Sequence, residues 1–307
     1  MLRGRKLWLA VQIVFAAAVI WFAAQSLSGQ WAEVGERLRG LRADWGLISA
    51  ASALMLVSYF ILIEAWRELL AAWSARLSRV DAARVWLVSN LGKYVPGKVW
   101  SIIAMGAMAR ERGASAIAAG GSSVVMQVMS VVTGLAVAAV FGATSRGMMW
   151  AAAAGIALLI LAVLTAPVVL PRAFAALGAI TGRSLGTPIV PRQAVWVAAV
   201  TTTVAWLITG LAFRYFCAAL GVAVNGVGPF IAVYAASYVA GFLALFAPGG
   251  IGVREGALVA TMQQSGLASA PEAAVIAVAS RIWLTILEIL PGLLALALPR
   301  AAGRGAD

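Results

Sequence analysis

A run of small, bend-forming residues interrupts one of the apolar segments of this chain. The segment covers residues 229–264, and near its middle the sequence reads Ala247-Pro248-Gly249-Gly250-Ile251-Gly252-Val253-Arg254-Glu255-Gly256. Proline removes a backbone donor and clashes with the preceding helical turn, while glycine permits a positive φ. The segment is therefore predicted to form two half-helices joined by a bend, with hinge residues Pro248, Gly249, Gly250 and Gly252.

A second apolar segment, residues 82–109, is broken in a similar way. Its middle reads Gly92-Lys93-Tyr94-Val95-Pro96-Gly97-Lys98, which places a hinge at Pro96 and Gly97. A bend at membrane depth is tolerated only where protein or a water-filled cavity surrounds it. The two segments are predicted to be re-entrant hairpins, 82–109 and 229–264, that enclose an internal site.

The composition places the whole chain in a membrane. Of its 307 residues, 63% are hydrophobic and only 11% are charged, whereas soluble domains are about half apolar and a quarter charged. This excludes a water-soluble fold.

Along residues 31–45, apolar side chains recur at helical spacing with charged side chains between them, and this pattern predicts an interfacial helix. Six other runs are long enough to cross the hydrocarbon region, and they are 7–27, 46–66, 114–142, 148–170, 193–220 and 272–298.

The predicted fold is an all-α polytopic membrane protein, a single transmembrane domain over residues 1–307. It has about six spanning helices plus two re-entrant broken-helix hairpins, or eight helices if the hairpins are counted as helices. The net charge of +12 indicates its orientation. If the amino terminus is cytoplasmic and each hairpin returns to its side of origin, 16 of the 23 basic residues face the cytoplasm. The positive-inside rule then predicts that both termini are cytoplasmic, and the charge pattern does not favour nucleic-acid binding. The expected location is a bacterial-type inner membrane.

The two hairpins occupy equivalent places in an internal repeat. Aligning Pro96-Gly97 with Pro248-Gly249 brings Gly113-Ala114-Ser115 onto Gly266-Leu267-Ala268-Ser269 after one inserted residue. In each half, approximately 1–146 and 147–298, two spans are followed by a hairpin and one more span, so an odd number of crossings inverts the second half. Inverted repeats with broken helices are typical of secondary transporters. The alternative is a chance match, because glycine and proline are frequent in membrane helices.

Charged residues within the apolar segments cost about 2.5–3.5 kcal/mol each and require a reason. Arg254 and Glu255 begin a half-helix, where free N–H groups and the helix dipole favour an anion. Arg281 and Glu288 are seven residues apart on one helical face. Lys93 and Lys98 flank the first bend, much as Arg254 lies beside the second bend. Together these residues predict a cationic substrate site for a phosphate-bearing head group, with the two glutamates as counter-charges.

Structural roles for the same charges are also possible. Arg254, Glu255, Arg281 and Glu288 could pair with one another to lock the hairpin, and the two lysines could extend to the cytoplasmic interface. Four other charges, Glu64, Arg67, Glu68 and Arg214, are interpreted as helix-end charges or pairs. The absence of histidine and the single Cys217 disfavour catalysis, metal binding and cofactors, so the protein is predicted not to be an enzyme.

The motif around the second bend, with Gly266-Leu267-Ala268-Ser269 and Ser280-Arg281, resembles the lysylphosphatidylglycerol synthase transmembrane family, also called flippase-like membrane proteins. Asn90 to Val99 and Arg110 to Ser115 resemble its first-half motif, so Asn90 joins the candidate substrate-binding residues. The resemblance covers residues 7–298. In that family the domain occurs alone or fused to a soluble aminoacyl transferase, and this chain is expected to be a stand-alone lipid-handling domain without synthase activity.

These observations support two functional hypotheses. The first is a flippase or transporter that moves an anionic phospholipid or a polyprenyl-phosphate-linked lipid between leaflets, with the head group between the opposed hairpins. The second is a non-transporting lipid-binding partner or scaffold of a membrane glycosyltransferase or lipid-modifying enzyme. The expected partners are therefore a membrane lipid, and a membrane enzyme or a second copy of this chain.

Overall fold

The computed structural model describes residues 43–94, 100–143, 146–181, 190–244 and 247–297. Within these ranges the chain is helical and contains no strand. The helices are α1 (Trp45–Ala72), α2 (Arg79–Asn90), α3 (Trp100–Arg110), α4 (Ala116–Gly142), α5 (Arg146–Thr181), α6 (Arg192–Ala219), α7 (Gly228–Leu243), α8 (Val253–Gln264) and α9 (Ala270–Ala297). Short 3-10 turns cover Leu91–Tyr94 and Pro248–Gly250.

The all-α polytopic prediction is confirmed. Five of the described helices, α1, α4, α5, α6 and α9, are long and apolar enough to cross a membrane. Many of their large apolar side chains point outward, such as Leu161 and Leu164 of α5, which are 58% and 64% exposed. On a soluble protein this much exposed apolar surface would promote aggregation, whereas lipid tails solvate it. The sixth predicted span, 7–27, lies outside the described residues.

Two predicted boundaries differ from the structure. The interfacial helix predicted at 31–45 falls outside the described residues up to position 42, and Trp45 is instead the first residue of α1. The reason is a cap: Asp44 Oδ1 accepts a hydrogen bond from the Leu47 N–H at 3.1 Å. The run predicted at 148–170 continues to Thr181, because α5 tolerates Pro167 and Pro171 inside a membrane helix.

Both interrupted segments consist of two helices separated by a break. The first hairpin comprises α2, the turn Leu91–Tyr94 and α3, and the second comprises α7, the turn Pro248–Gly250 and α8. The two helices of each hairpin pack together, and the two turns contact one another. In the second break Gly249, Gly250 and Gly252 have φ values of 57°, 71° and 82°, which only glycine adopts without strain. Pro96 and Gly97, the hinge predicted for the first hairpin, lie outside the described residues.

The same backbone turn follows each hairpin. After α3, Gly113 has a positive φ and the Ala114 N–H bonds the Ala109 carbonyl. After α8, Gly266 has a positive φ and the Leu267 N–H bonds the Met262 carbonyl. This is the geometry of a glycine-terminated helix at both of the aligned positions. The similarity supports the repeat, while the opposite orientation of the two halves in the membrane stays a prediction.

Two clusters of buried apolar residues hold the helices together. One contains the second half of α1, from Ile63, and the first half of α6, to Ala199. The other contains the first half of α1 and the second half of α6 together with α7, α8 and α9. Helices α1 and α6 therefore run antiparallel and connect the two clusters. Residues of both clusters, including Trp66 and Trp206, border a single cavity between them.

Candidate functional site

The cavity has a volume of about 420 Å³, within the roughly 300–1,000 Å³ typical of small-ligand sites. Its wall is built by α1, α2, α3, α4, α6, α7, α8 and α9 and by the two turns that break the hairpins. Residues of both hairpins thus contribute to the wall of one cavity. Four described residues of the wall are charged, namely Lys93, Arg254, Arg281 and Glu288.

Lys93 and Glu288 form a salt bridge across the cavity wall. The Lys93 Nζ lies 2.6 Å from Glu288 Oε1, and the two side chains are 24% and 11% exposed. The Tyr94 hydroxyl donates a hydrogen bond to the other oxygen of the same carboxylate. This pairing favours an internal role for Lys93 over the alternative that it extends to the cytoplasmic interface. The pair ties the turn of the first hairpin to α9.

Arg281 holds the bend of the second hairpin. Its Nη1 donates a hydrogen bond to the Gly249 carbonyl at 3.0 Å and lies 3.6 Å from Glu255 Oε1. Its guanidinium also lies over the Tyr94 ring, 5.8 Å from the centroid, a cation–π arrangement. Arg281 thus contacts both hairpins. It lines the cavity together with Glu288, as their spacing of seven residues on one helix predicts.

Glu255 acts at the start of α8. Its Oε2 accepts a hydrogen bond from the Gly252 N–H at 2.6 Å, which satisfies a backbone donor that the helix leaves unpaired. Its other oxygen faces Arg281. Glu255 does not line the cavity. Its carboxylate stabilises the bend and partly neutralises Arg281, which does line the cavity.

Among the described charged residues of the wall, Arg254 is the one without a carboxylate partner. Its side chain lies over the rings of Tyr234 and Tyr238, at 5.5 Å and 5.1 Å from their centroids. It forms no salt bridge with a carboxylate in the described ranges, and its buried Nη2 has no hydrogen-bond partner there. The residue is only 7% exposed. A guanidinium in this state favours an anion that reaches it from the cavity.

Glycine at position 241 allows this placement of Arg254. A Cβ at Gly241 would lie 2.7 Å from the Arg254 Cβ and also crowd its Cγ. The absence of a side chain at position 241 of α7 therefore lets α8 approach closely, and the aliphatic part of the Arg254 side chain occupies the space. The cation is held by packing and by two aromatic faces instead of by a carboxylate.

The structure describes one of the two remaining candidate substrate-binding residues, Asn90, and does not describe the other, Lys98. Asn90, the last residue of α2, lines the cavity. Lys98 lies outside the described residues with Pro96 and Gly97. The charges interpreted as helix-end pairs behave in that way: Arg67 bridges Glu64 at 2.9 Å, and Arg214 donates to the Gly226 carbonyl at 2.8 Å.

Apart from Asn90, the uncharged polar residues of the wall were not identified from the sequence. They include Ser58, Tyr59, Trp66, Ser101, Gln127 and Thr202. Serine, threonine and tryptophan are common in membrane helices for other reasons, so no sequence signal separates these residues. Tyr234 and Tyr238 were not predicted either, but their spacing of i and i+4 places both on one helical face and is a signal that could have found them. Among the described residues, no group of three or more acidic or cysteine side chains could hold a metal ion.

Replacing Gly249 with alanine is expected to destabilise the bend by about 1–2 kcal/mol, the cost of a left-handed conformation for a residue with a Cβ. The added Cβ would also lie 2.8 Å from the Arg281 Nη2 and displace it. The matched control is Gly256→Ala in α8, where nothing lies within 4 Å and alanine favours the helix. Thermal unfolding in detergent measures both. Equal melting temperatures for the two variants would contradict the role assigned to Gly249.

The fold and the site define a class, a polytopic α-helical membrane protein in which two broken hairpins help to line a cavity whose described charged residues are mostly cations. A sequence model of the family described as "Lysylphosphatidylglycerol synthase TM region" matches residues 9–292, and the chain belongs to this family. The resemblance derived from the motifs is thereby confirmed. No curated protein and no solved structure matches the chain. Membership of the family indicates a function related to membrane lipids.

Proposed function

We propose that this protein is a flippase or transporter that moves an anionic phospholipid or a lipid-linked phosphate between leaflets. The head group occupies the cavity between the two hairpins, and the acyl or prenyl chains remain in the surrounding lipid. The protein acts in the plasma membrane of a bacterial-type cell, with both termini on the cytoplasmic side, and it catalyses no covalent step. Family membership supports the lipid as the class of substrate.

The observation that carries this proposal is the state of Arg254. A buried cation without a carboxylate is costly in a low-dielectric interior, and such residues in membrane proteins usually serve a substrate pathway. Arg254 belongs to the wall of a cavity large enough for a polar head group. A phosphate oxygen would provide both the missing negative charge and the missing hydrogen-bond acceptor.

The other two cations of the wall suggest how binding is coupled to movement. Lys93 belongs to the first turn and Arg281 contacts the second, and each has a carboxylate within 4 Å, Glu288 and Glu255 respectively. A phosphate that enters the cavity competes with these carboxylates for the same donors. Exchange of partners loosens the links that hold the first turn to α9 and the second turn to Arg281, so the hairpins are free to shift around the bound head group.

Reconstitution tests this function directly. Purified protein is inserted into liposomes that contain a trace of head-group-intact, tail-labelled phosphatidylglycerol, and a membrane-impermeant quencher reports the fraction in the outer leaflet over time. We expect leaflet exchange well above that of protein-free liposomes. Exchange no faster than in protein-free liposomes, together with tight lipid binding, would overturn transport and favour the non-transporting lipid-binding partner.

A further inference from the structure

We infer that the hydroxyl groups of Tyr59, Tyr234 and Tyr238 bind the phosphate oxygens of the head group, while Arg254 supplies the positive charge. The inference rests on the lipid-binding site proposed above, but it does not depend on transport. It assigns hydrogen-bond donors to the phosphodiester, the group that glycerophospholipids and polyprenyl-phosphate sugars have in common.

The tyrosines of this chain are concentrated around the cavity. Four of its five tyrosines line the wall, namely Tyr59 of α1, Tyr94 of the first turn, and Tyr234 and Tyr238 of α7. The fifth, Tyr215 of α6, does not line it. Tyrosines of membrane proteins are otherwise enriched at the two interfaces with water. Their position around an internal cavity indicates that the phenol groups serve the cavity.

Three of these four hydroxyl groups are not used by the protein itself. The Tyr94 hydroxyl donates to the Glu288 carboxylate, whereas those of Tyr59, Tyr234 and Tyr238 have no hydrogen-bond partner among the described residues. None of the three oxygens is among the fully enclosed atoms that lack a partner, so each keeps surface that a ligand can reach. A buried tyrosine hydroxyl usually has a partner. Three open hydroxyls on one wall therefore indicate a partner that enters the cavity.

Packing fixes the rings that carry these hydroxyls. Tyr234 and Tyr238 lie one turn apart on α7 with their centroids separated by 6.3 Å, and Trp206 contacts both in edge-to-face geometry. Tyr59 packs against Trp86, with 5.7 Å between the centroids. Since the rings are already held, little side-chain freedom is lost when a ligand binds their hydroxyls.

The position of Arg254 makes an anionic oxygen the expected partner. Its guanidinium lies over the rings of Tyr234 and Tyr238, and Tyr59 is close enough to Arg254 to interact with it electrostatically. Arg254 has no carboxylate partner in the described ranges. A phosphate attracted by this charge is thus brought to three neutral O–H donors. Hydrogen bonds to an ionised acceptor are roughly twice as strong as neutral ones.

Replacing each tyrosine with phenylalanine tests the assignment. Tyr59→Phe, Tyr234→Phe and Tyr238→Phe are each expected to weaken the binding of a phosphodiester lipid about 10-fold, the lower end of the value for a hydrogen bond to a charged group. The melting temperature in detergent should not fall, because the ring packing is kept and the lost hydroxyl has no partner in the protein. Native mass spectrometry of the full chain measures the affinity.

The other two tyrosines provide the controls. Tyr215→Phe removes a hydroxyl away from the cavity and should keep wild-type affinity and stability. Tyr94→Phe breaks the hydrogen bond to Glu288 and should lower the melting temperature. A fall of the same size in the three cavity variants would give their hydroxyls a structural role and contradict the inference.

The choice of lipids identifies the group that the hydroxyls contact. Phosphatidylglycerol, phosphatidylethanolamine and a polyprenyl-phosphate hexose share the phosphodiester but differ in the substituent or the tail, and diacylglycerol lacks the phosphate. For every phosphodiester lipid that the wild type binds, the three variants should lose affinity by a similar factor. Any binding of diacylglycerol should be unchanged. A loss confined to one substituent would mean that the hydroxyls contact that substituent, which overturns the assignment to phosphate.

The outcomes also separate this inference from the proposed function. Wild-type affinity in one variant removes that tyrosine from the site. Wild-type affinity in all three variants, together with persistent leaflet exchange, refutes the inference and leaves the transport proposal standing. If the wild type binds none of the phosphodiester lipids and no exchange occurs, both proposals fail.

Discussion

Replacement of Arg254 by glutamine is expected to weaken the binding of phosphatidylglycerol about 10- to 150-fold and to slow its leaflet exchange at subsaturating lipid. Hydrogen bonds to charged groups contribute about 1.5–3 kcal/mol, and every 1.4 kcal/mol corresponds to a factor of ten in affinity. Arg254 is the wall cation whose charge no described carboxylate balances, so the bound phosphate should depend on it more than on Lys93 or Arg281.

The fold should tolerate this change better than the function does. Removal of one member of a buried ion pair strands the other charge, but Arg254 has no described carboxylate to strand. Glutamine loses the contacts with Tyr234 and Tyr238, which are worth about 0.5–2 kcal/mol. We therefore expect a modest fall in melting temperature with a large loss of affinity. Arg254→Lys should be intermediate, because it keeps the charge but loses the planar stacking.

The matched control for Arg254→Gln is Arg214→Gln. Arg214 also lies in an apolar helix, but it donates to the Gly226 and Val224 carbonyls at a helix end and does not line the cavity. Its variant should keep wild-type lipid affinity and exchange. Lipid affinity by native mass spectrometry and melting temperature in the same detergent are the two measurements. Wild-type affinity in Arg254→Gln would remove the main support for an anionic head group.

Composition and local steric rules accounted for much of the fold. The spanning helices follow from runs that only a bilayer can solvate, and the breaks follow from residues that cannot continue a helix. The positive φ of Gly249 and Gly252 is the reason why the second bend needs glycine. The pairing of Arg281 and Glu288 on one face required only the helical period. These features depend on residues close together in the chain.

The partners of the charges could not be predicted in the same way. Lys93 and Glu288 are far apart in sequence, and only the packing of the first hairpin against α9 brings them together. Glu255 was predicted as a counter-charge of the site; its carboxylate lies 3.6 Å from Arg281, and its other oxygen also caps α8, a role that local sequence did not indicate. The serine hydroxyls of the cavity wall that lack a described partner gave no signal, since whether a hydroxyl has a partner is decided by the tertiary structure.

Removal of only one member of the salt bridge between Lys93 and Glu288 should strongly destabilise the protein. Lys93→Met leaves a carboxylate that is 11% exposed, and loss of a partner from a buried pair costs about 3–5 kcal/mol. Glu288→Met should cost less, because the remaining ammonium is 24% exposed and can be partly hydrated. The double replacement by methionine leaves no stranded charge and is expected to lie within about 1 kcal/mol of the wild type or to exceed it.

A double-mutant cycle in a reversible unfolding assay, such as titration with a denaturing detergent, measures this coupling. The control is Glu68→Met, which removes a carboxylate that is 59% exposed and 2.6 Å from Arg67; exposed pairs of this kind contribute about 0–1 kcal/mol. If the losses in the two single variants simply add in the double variant, Lys93 and Glu288 do not stabilise each other. Coupling of the expected size means that a phosphate can draw Lys93 away from Glu288 only if it replaces the carboxylate as the partner of the lysine. Lipid affinity should then fall in Lys93→Met even when the double variant restores stability.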